Sequence, residues 1–215
     1  MNKKEKALEI YKRLSKVYPT PIVELNFKTP FQLLVATIMA AQTTDKMVNT
    51  LTPALFSTYK TIQDMADAKS EDIAALISKV SFANNKAKNI KASAHMIMEK
   101  YGGNVPQNME DLDTLPGVAR KTANVVLGHA FGIPSGIVID THGIRMSHRL
   151  GLSDEKTPEK IEKDLMELIP QDKWIHFGSM ITLHGRHTCT ARSHTCKDCP
   201  LDDLCPEYSV WGKKS

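Results

Sequence analysis

The sequence LPGVARKTANVVLGHAFGIPSGIVID, residues 115–140, contains most of the features that decide how this chain folds and what it can do. A Leu-Pro-Gly turn leads directly into a helical pattern that carries Arg120 and Lys121. Glycine and proline then interrupt the helix, and a short apolar run ends at Asp140. One stretch therefore offers a tight turn, a primary amine and a carboxylate.

Helical periodicity covers most of the remaining sequence. For example, Thr29 as N-cap, Pro30 and Gln32 form a strong helix start. We expect Pro53 to kink its helix or end it early, and Asn84 or Asn85 to cap a later one. Only residues 21–27 and 136–140 resemble strands, and neither run is followed by a hairpin signal, so we interpret both as extended connections. The sequence predicts an all-α protein of about ten helices.

Composition sets broad limits on the class of protein. The chain has 215 residues, 41% of them apolar, which is enough for one large or two small domains with a proper core. Its net charge of +4 leans weakly towards an anionic partner. The N-terminus MNKKEKALEI has no apolar core of a signal peptide, and the longest apolar run, residues 33–41, is too short to span a bilayer. These features predict a soluble intracellular protein without membrane contact.

All four cysteines lie close together in the order Cys189-x6-Cys196-x2-Cys199-x5-Cys205. A disulfide framework would normally spread its cysteines over the core of a secreted domain. Four thiolates within such a short segment instead indicate a metal site, and four unpaired structural cysteines are the less favoured alternative. The spacing is compatible with either zinc or an iron–sulfur cluster.

Residues 111–121 follow the pattern of a helix-hairpin-helix. A turn of this kind exposes backbone N–H groups at a helix N-terminus, where the dipole attracts a phosphate. The alternative is an ordinary turn between two helices. Lys121 follows in the first turn of the second helix. An exposed lysine there is usually solvated or bound to phosphate, but a helix N-terminus also favours the neutral amine that can act as a nucleophile.

Four sequence blocks, LNFKTPFQLLVATIMAAQTTD, LPGVARKTANVVL, IDTHGIRMSHRLGL and LHGRHTCTARSHTCKDCPLDDLC, occur in this order between residues 7 and 205. In this combination the chain resembles the endonuclease III family of base-excision DNA glycosylases. The resemblance implies two helical domains with a DNA-binding cleft between them. A six-helix domain, residues 23–132, would contain the hairpin at about 111–130. Residues 1–22 and 133–215 would form the iron–sulfur cluster domain.

The resemblance also implies a function. It predicts a bifunctional DNA glycosylase and abasic-site lyase of base excision repair that removes oxidised pyrimidines from double-stranded DNA. Lys121 corresponds to the catalytic lysine of the family and Asp140 to its catalytic aspartate, while the four cysteines would hold a [4Fe–4S] cluster. Such a protein would act as a monomer in the cytoplasm, associated with the nucleoid if the source is bacterial. Asp140 would also suit the N-cap of the helix that follows it.

The same resemblance predicts further contacts with DNA. Gln42 would fill the gap left by the extruded base, and Phe82 would act as an apolar wedge at a position where the family commonly carries an aliphatic residue. A buried core phenylalanine is the alternative for Phe82. Asp45 is a candidate for the base pocket, and His142 is expected to orient its loop by hydrogen bonding. The remaining predicted DNA contacts are Leu115, Gly117, Val118, Ala119, Arg120 and Arg192.

One departure from the family pattern concerns Ala119, which replaces a glycine often found in the hairpin. We expect the alanine to be tolerated if its φ is helical.

Two other functions are compatible with most of these features. A glycosylase of the same fold could act on a different base, although the monofunctional relatives lack the lysine. A non-catalytic DNA-binding module could retain the hairpin and the cysteine cluster. That alternative leaves the pairing of Lys121 with Asp140 unexplained.

Overall fold

Eleven α-helices and two short 3-10 turns make up the regular structure of a computed structural model that describes residues 1–20, 23–192, 196 and 198–208. No strand occurs in that part of the chain, so the all-α prediction is confirmed. The α-helices are α1 Lys3–Val17, α2 Pro30–Ala40, α3 Asp45–Thr58, α4 Ile62–Asp67, α5 Ser70–Leu76, α6 Ala83–Tyr101, α7 Met109–Asp113, α8 Arg120–Phe131, α9 Thr141–Arg149, α10 Pro158–Leu168 and α11 Trp174–His187. The 3-10 turns are Gln171–Lys173 and Asp202–Leu204.

The chain divides into two compact units, Val23–Ser135 and Met1–Ile22 with Gly136–Ser215. The first unit contains α2 to α8, which is one helix more than the six of the expected domain because the five-residue α7 counts separately. Its core is formed by the apolar α2, on which α8 packs. Seven of the eleven residues of α2 are buried, namely Phe31, Leu33, Leu34, Val35, Ala36, Ile38 and Met39.

The second unit joins α1 to α9, α10 and α11 around one apolar core. Tyr11 of α1 stacks on Phe177 of α11 with ring centroids 6.4 Å apart. Arg13, also on α1, donates to the carbonyl oxygen of Pro200 at 3.1 Å and to the carboxylate of Asp203 at 3.0 Å. The N-terminal helix is therefore fixed both to the core of this unit and to its cysteine-containing segment.

Two glycines let α11 pack closely against its neighbours. A Cβ atom on Gly178 would lie 3.1 Å from the backbone nitrogen of Val138, and one on Gly185 would lie 3.0 Å from the Cβ of His142. Since real Cβ atoms rarely approach other atoms this closely, any larger residue would push α11 away from the segment around Asp140.

Two local predictions were wrong. The early end expected at Pro53 does not occur, since α3 continues to Thr58. A proline removes only one intrahelical hydrogen bond, and the buried face of α3 keeps the helix in place. Helix α6 begins at Ala83 after Phe82 as N-cap, so neither Asn84 nor Asn85 caps it. None of the described helices is both long and apolar enough to cross a membrane.

Candidate active site and cysteine cluster

The turn between α7 and α8 is built around a buried leucine and a glycine. Leu115 is only 2% exposed, and its carbonyl accepts the N–H of Val118 at 3.0 Å. Gly117 has a φ of +79°, a value that glycine adopts without strain. Since the side chains of Leu115 and Val118 are buried, the exposed part of the turn is mainly its backbone.

A serine on α6 orients that backbone. The hydroxyl of Ser93 donates to the carbonyl of Pro116 at 2.7 Å, and Ser93 is 1% exposed. Because the C=O and N–H groups of a trans peptide point in opposite directions, the N–H of Gly117 points away from α6. Among the described residues, none accepts a hydrogen bond from this N–H. It is therefore available to a ligand such as a phosphate.

The turn also fits tightly against α6. A Cβ atom added to Gly117 would lie 2.8 Å from Nδ2 and 2.9 Å from Cβ of Asn89. Both distances are shorter than van der Waals contact allows, so no other residue fits at this position without movement of the turn or the helix.

Helix α8 begins without a side-chain cap. Ala119 is the N-cap, with φ −103° and ψ 166°, and no described side chain hydrogen-bonds to the first N–H groups of the helix. Ala119 does not have the helical φ under which the alanine was expected to be tolerated, because the residue is still extended where the helix begins. Alanine adopts this negative φ freely, which explains why glycine is not needed. Arg120 and Lys121, the first two helical residues, are both exposed.

Asp140 lies in the other unit and its carboxylate is held at a fixed position. It is the N-cap of α9, and its Oδ1 accepts the N–H of Gly143 at 2.7 Å, which confirms the expected cap. The same oxygen accepts from Thr182 at 3.3 Å, and Oδ2 lies 3.8 Å from a guanidinium nitrogen of Arg186. With its side chain 11% exposed, the carboxylate is held by two hydrogen bonds and one ion pair from two helices and still reaches solvent.

His142 takes part in the hydrogen bonding that joins α9 to α11. Its Nδ1 lies 3.2 Å from a guanidinium nitrogen of Arg145. That nitrogen also donates to the carbonyls of Gly185 at 2.6 Å and Cys189 at 3.1 Å. This geometry agrees with an orienting role for His142, exerted through Arg145.

The first cysteine receives a hydrogen bond from the far end of α9. Arg149 donates to the sulfur of Cys189 at 3.0 Å and to the carbonyl of Thr190 at 2.9 Å. Cysteine binds metal as a thiolate, and this guanidinium would balance the negative charge of a metal-bound sulfur.

The four thiols form one electrostatically coupled group. None of them is in a disulfide, and Cys189, Cys199 and Cys205 pack against the apolar core of their unit. Burial, together with the charges of the other three cysteines, raises the pKa of Cys199 to about 11. Burial also raises the pKa values of Cys196 and Cys205.

A buried histidine completes the surroundings of the cysteines. His184 on α11 is 1% exposed, and its Nε2 lies 3.6 Å from the sulfur of Cys199. Burial lowers its pKa to about 4, so the ring is neutral at pH 7. Its Nδ1 has no hydrogen-bond partner in the described part of the chain.

The donor set fits an iron–sulfur cluster. In residues 1–20, 23–192, 196 and 198–208, no three histidine, cysteine, aspartate or glutamate side chains are arranged to hold a single metal ion. Four free, partly buried thiols, three of them packed on an apolar core and one beside a guanidinium, are ligands and surroundings suited to a thiolate-bound cluster.

The two predicted filler residues share an unusual backbone. Gln42 has φ 56° and Phe82 has φ 58°, and these are the two described non-glycine residues with positive φ. Both side chains are exposed, and Phe82 retains 69% of its accessible surface. Phe82 is therefore not a core residue. The hydroxyl of Ser81 donates to the carbonyl of Gln42 at 2.9 Å, so the structure brings the two turns together.

The remaining candidates have simpler surroundings. Asp45 is the first residue of α3 and lines a concavity of about 460 Å³ together with Glu24, Lys46, Asn49 and Thr50. Arg192 is exposed, beyond Cys189, at the start of the segment that leads to the second cysteine.

Several residues that organise these sites had not been predicted. Thr182 and Arg186 approach Asp140 across about forty residues of sequence, and Ser93 contacts Pro116 across 23. The sequence likewise assigned no separate role to Arg145 or Arg149. Thr182 and Arg186 lie one helical turn apart, which indicates that they share one face of α11. That spacing does not identify Asp140 as their common partner.

Comparison with known proteins supports one family. Residues 35–171 match the model of the HhH-GPD superfamily of base excision DNA repair proteins. Endonuclease III of Synechocystis sp. is 51% identical over 205 residues, covering 95% of this chain and 94% of the relative. The fold is similar to a solved non-covalent endonuclease III–DNA complex, with a TM-score of 0.93 and 37% identity over 99% of this chain and 100% of that one. A trapped endonuclease III–DNA covalent intermediate gives a TM-score of 0.92 and 38% identity over 98% and 99% of the two chains.

These matches extend over both units, and the identity is well above the level at which only the fold is shared. The chain therefore belongs to the endonuclease III family, within the HhH-GPD superfamily of base excision DNA repair proteins.

Proposed function

We propose that this protein removes oxidised pyrimidines from double-stranded DNA and then cleaves the strand on the 3′ side of the resulting abasic site, with Lys121 as nucleophile. Membership of the endonuclease III family makes it a DNA glycosylase and abasic-site lyase. The position of Lys121 supports its assignment as the nucleophile. It is an exposed amine in the first turn of an uncapped helix, directly after a hairpin whose backbone can bind phosphate.

The hairpin holds the DNA backbone next to the amine. The N–H of Gly117, oriented by Ser93, and the N-terminus of α8 together form a phosphate site that does not depend on DNA sequence. Arg120 adds a positive charge at the same helix end. A protein that searches long stretches of DNA for damage needs such contacts.

The chemistry of the amine has three steps. The neutral Nζ of Lys121 attacks C1′ of the damaged nucleotide, and the bond between C1′ and the base breaks, with the base leaving as it takes up a proton. The amine then loses one proton, and its lone pair opens the sugar ring by breaking the C1′–O4′ bond. O4′ takes up a proton, and the product is a protonated imine between Nζ and C1′. Loss of a proton from C2′ expels the 3′ phosphate by β-elimination, and water releases the lysine.

Asp140 stabilises the positive charge that develops on the sugar while the base leaves. Its carboxylate is already oriented by Gly143, Thr182 and Arg186, so it needs no rearrangement during the reaction. It is also suited to accept a proton from the attacking amine. The cap to α9 and the catalytic role are compatible, because Oδ2 remains outside the cap.

The unit of Val23–Ser135 is assigned to lesion and backbone binding, and the other unit to the cluster. Cys189, Cys196, Cys199 and Cys205 would hold a [4Fe–4S] cluster, whose iron–thiolate bonds would fix the C-terminal segment to α9 and α11. Arg149 donates a hydrogen bond to the sulfur of Cys189, and His184 contributes a neutral ring beside Cys199. In a bacterium such a protein would work in the cytoplasm, at the nucleoid.

Borohydride trapping on duplex DNA with one abasic site tests the nucleophile directly. We expect the wild-type protein to form a covalent adduct and Lys121→Ala to form none. Lys4→Ala is the matched control, because Lys4 is also an exposed lysine at the second position of a helix, α1. Retention of the adduct in Lys121→Ala would refute the assignment. An absence of adduct with the wild-type protein, accompanied by normal DNA binding, would favour a non-catalytic module.

A further inference from the structure

Gln42 and Phe82 occupy a backbone conformation that needs support. At φ values of 56° and 58°, their Cβ atoms crowd the following carbonyl oxygen, a conformation that residues other than glycine and asparagine rarely adopt. Both side chains are exposed, so packing of the side chain does not hold either residue in place. The support must come from contacts to the backbone around them.

A buried lysine supplies much of that support. Lys86, on the first turn of α6, is 6% exposed although it carries a positive charge. Its Nζ donates to the carbonyls of Met39 at 2.7 Å and Ala41 at 2.5 Å and to the hydroxyl of Thr43 at 3.3 Å. The three donors of an ammonium group are thus matched by three oxygens on both sides of Gln42.

The position of the charge is favourable for a second reason. Helix α2 ends at Ala40, and its last carbonyls lack partners within the helix. A cation at this end satisfies those carbonyls and interacts well with the helix dipole. Burial lowers the pKa of Lys86, because its ammonium group has been withdrawn from solvent to make these contacts.

The same network extends to Phe82. Ser81, the residue before it, donates its backbone N–H to the hydroxyl of Thr43 at 3.1 Å and its own hydroxyl to the carbonyl of Gln42 at 2.9 Å. Thr43 therefore binds both Lys86 and Ser81. Phe82 in turn is the N-cap of α6, and its carbonyl accepts the N–H of Lys86 at 3.0 Å.

We propose that Lys86 is a positioning residue that holds Gln42 and Phe82 together, in advance of binding, in the conformation that fills the opened DNA stack. This inference rests on the proposed function, in which both side chains enter the DNA. Without Lys86, both turns relax to more common backbone angles, and the two side chains must be ordered again each time a base is extruded. Lys86 itself touches neither the base nor the sugar.

A lysine that only stabilises the fold would reduce all activities together, so the test compares two substrates. One is a duplex with an oxidised pyrimidine in a base pair, which must be extruded. The other has an abasic site at the centre of an unpaired bubble, where there is no stack to open. A fluorescent base analogue opposite the lesion reports unstacking separately from the chemistry.

The variant is Lys86→Met, which keeps the length of the side chain but removes its donors. We expect kcat/KM for base excision from the duplex to fall roughly tenfold to hundredfold, the factor that corresponds to loss of one charge-assisted hydrogen-bonding group. The unstacking signal should fall with it, while borohydride trapping on the bubble should stay at the wild-type level. Lys100→Met, at the exposed far end of α6, is the control for loss of a charge.

Further variants keep the test decisive if Lys86→Met fails to fold. Ser81→Ala removes one bridge from an exposed position and should show the same pattern more weakly. The double variant Gln42→Ala with Phe82→Ala should show the same loss of kcat/KM on the duplex. Adding Lys86→Met to that double variant should lower kcat/KM only a little further. Equal losses on duplex and bubble, or full additivity, would overturn the positioning role. Failure of the wild-type protein to form an adduct on either substrate would instead count against the proposed function.

Discussion

Replacement of Gly117 by alanine tests both the shape of the hairpin and its use as a phosphate site. The structure gives the substitution two separate costs. An alanine at φ +79° is disfavoured by about 1–2 kcal/mol. Its Cβ would also lie 2.9 Å from the Cβ of Asn89, an atom close to the α6 backbone that cannot simply rotate away. Forcing the turn and the helix apart should cost a further 1–3 kcal/mol or so.

Gly132→Ala separates these two costs. Gly132 ends α8 at φ +70°, and a Cβ atom there would meet nothing within 4 Å. It carries the backbone penalty without the steric one. Since each kcal/mol corresponds to about 2–4 °C of Tm in a chain of this size, Gly117→Ala should unfold at least about 2–4 °C below Gly132→Ala.

Thermal unfolding gives the first readout, and binding to undamaged duplex DNA across a series of salt concentrations gives the second. Because Gly117→Ala displaces an N–H that would bind phosphate, we expect weaker binding with a shallower salt dependence, and no such change for Gly132→Ala. Equal Tm values for the two variants would refute the steric argument. Unchanged binding by Gly117→Ala would refute the phosphate site.

Three further changes address the second unit. Asp140→Asn keeps an N-cap residue, so Tm should be almost unchanged while single-turnover base release slows about 10²–10³-fold; a large drop in Tm would mean that the charge serves the fold. Arg149→Met removes the hydrogen bond to the sulfur of Cys189, and we expect faster loss of iron and visible absorbance during dialysis against a chelator than from the wild-type protein. Gly178→Ala brings a Cβ atom to 3.1 Å from the backbone of Val138, so it should lower stability by about 1–3 kcal/mol and slow base release without weakening DNA binding; normal rates would show that the segment before Asp140 can move freely.

The features predictable from the sequence are those that depend on neighbours along the chain. The cap of α2 by Thr29 joins residues three positions apart, and so does the cap of α9 by Asp140. Proximity in sequence also makes the four cysteines recognisable as a group. In each case the spacing along the chain determines which residues can lie close together.

The features that escaped prediction depend on contacts between distant parts of the chain. Lys86 reaches the carbonyl of Met39 across 47 residues, and Arg149 reaches Cys189 across 40. No spacing rule describes such pairs, because they exist only after the helices have packed. The predicted cap of α6, Asn84 or Asn85, was wrong for a related reason. The left-handed backbone of Phe82, tied to the Gln42 turn through Ser81, begins the helix before the asparagines that would favour a cap.

Helix α9 connects Asp140 with the cysteine segment, so damage to that segment would affect catalysis. Its first turn is closed by the carboxylate of Asp140, and its last turn is anchored by Arg149 at Cys189. Nine residues at 1.5 Å each make it a rigid rod of about 14 Å. Oxidation or loss of the sulfur ligands would release the distal end of this rod. The protein would then still bind DNA through its hairpin. It would excise bases slowly, because the carboxylate of Asp140 would no longer be held by a fixed helix.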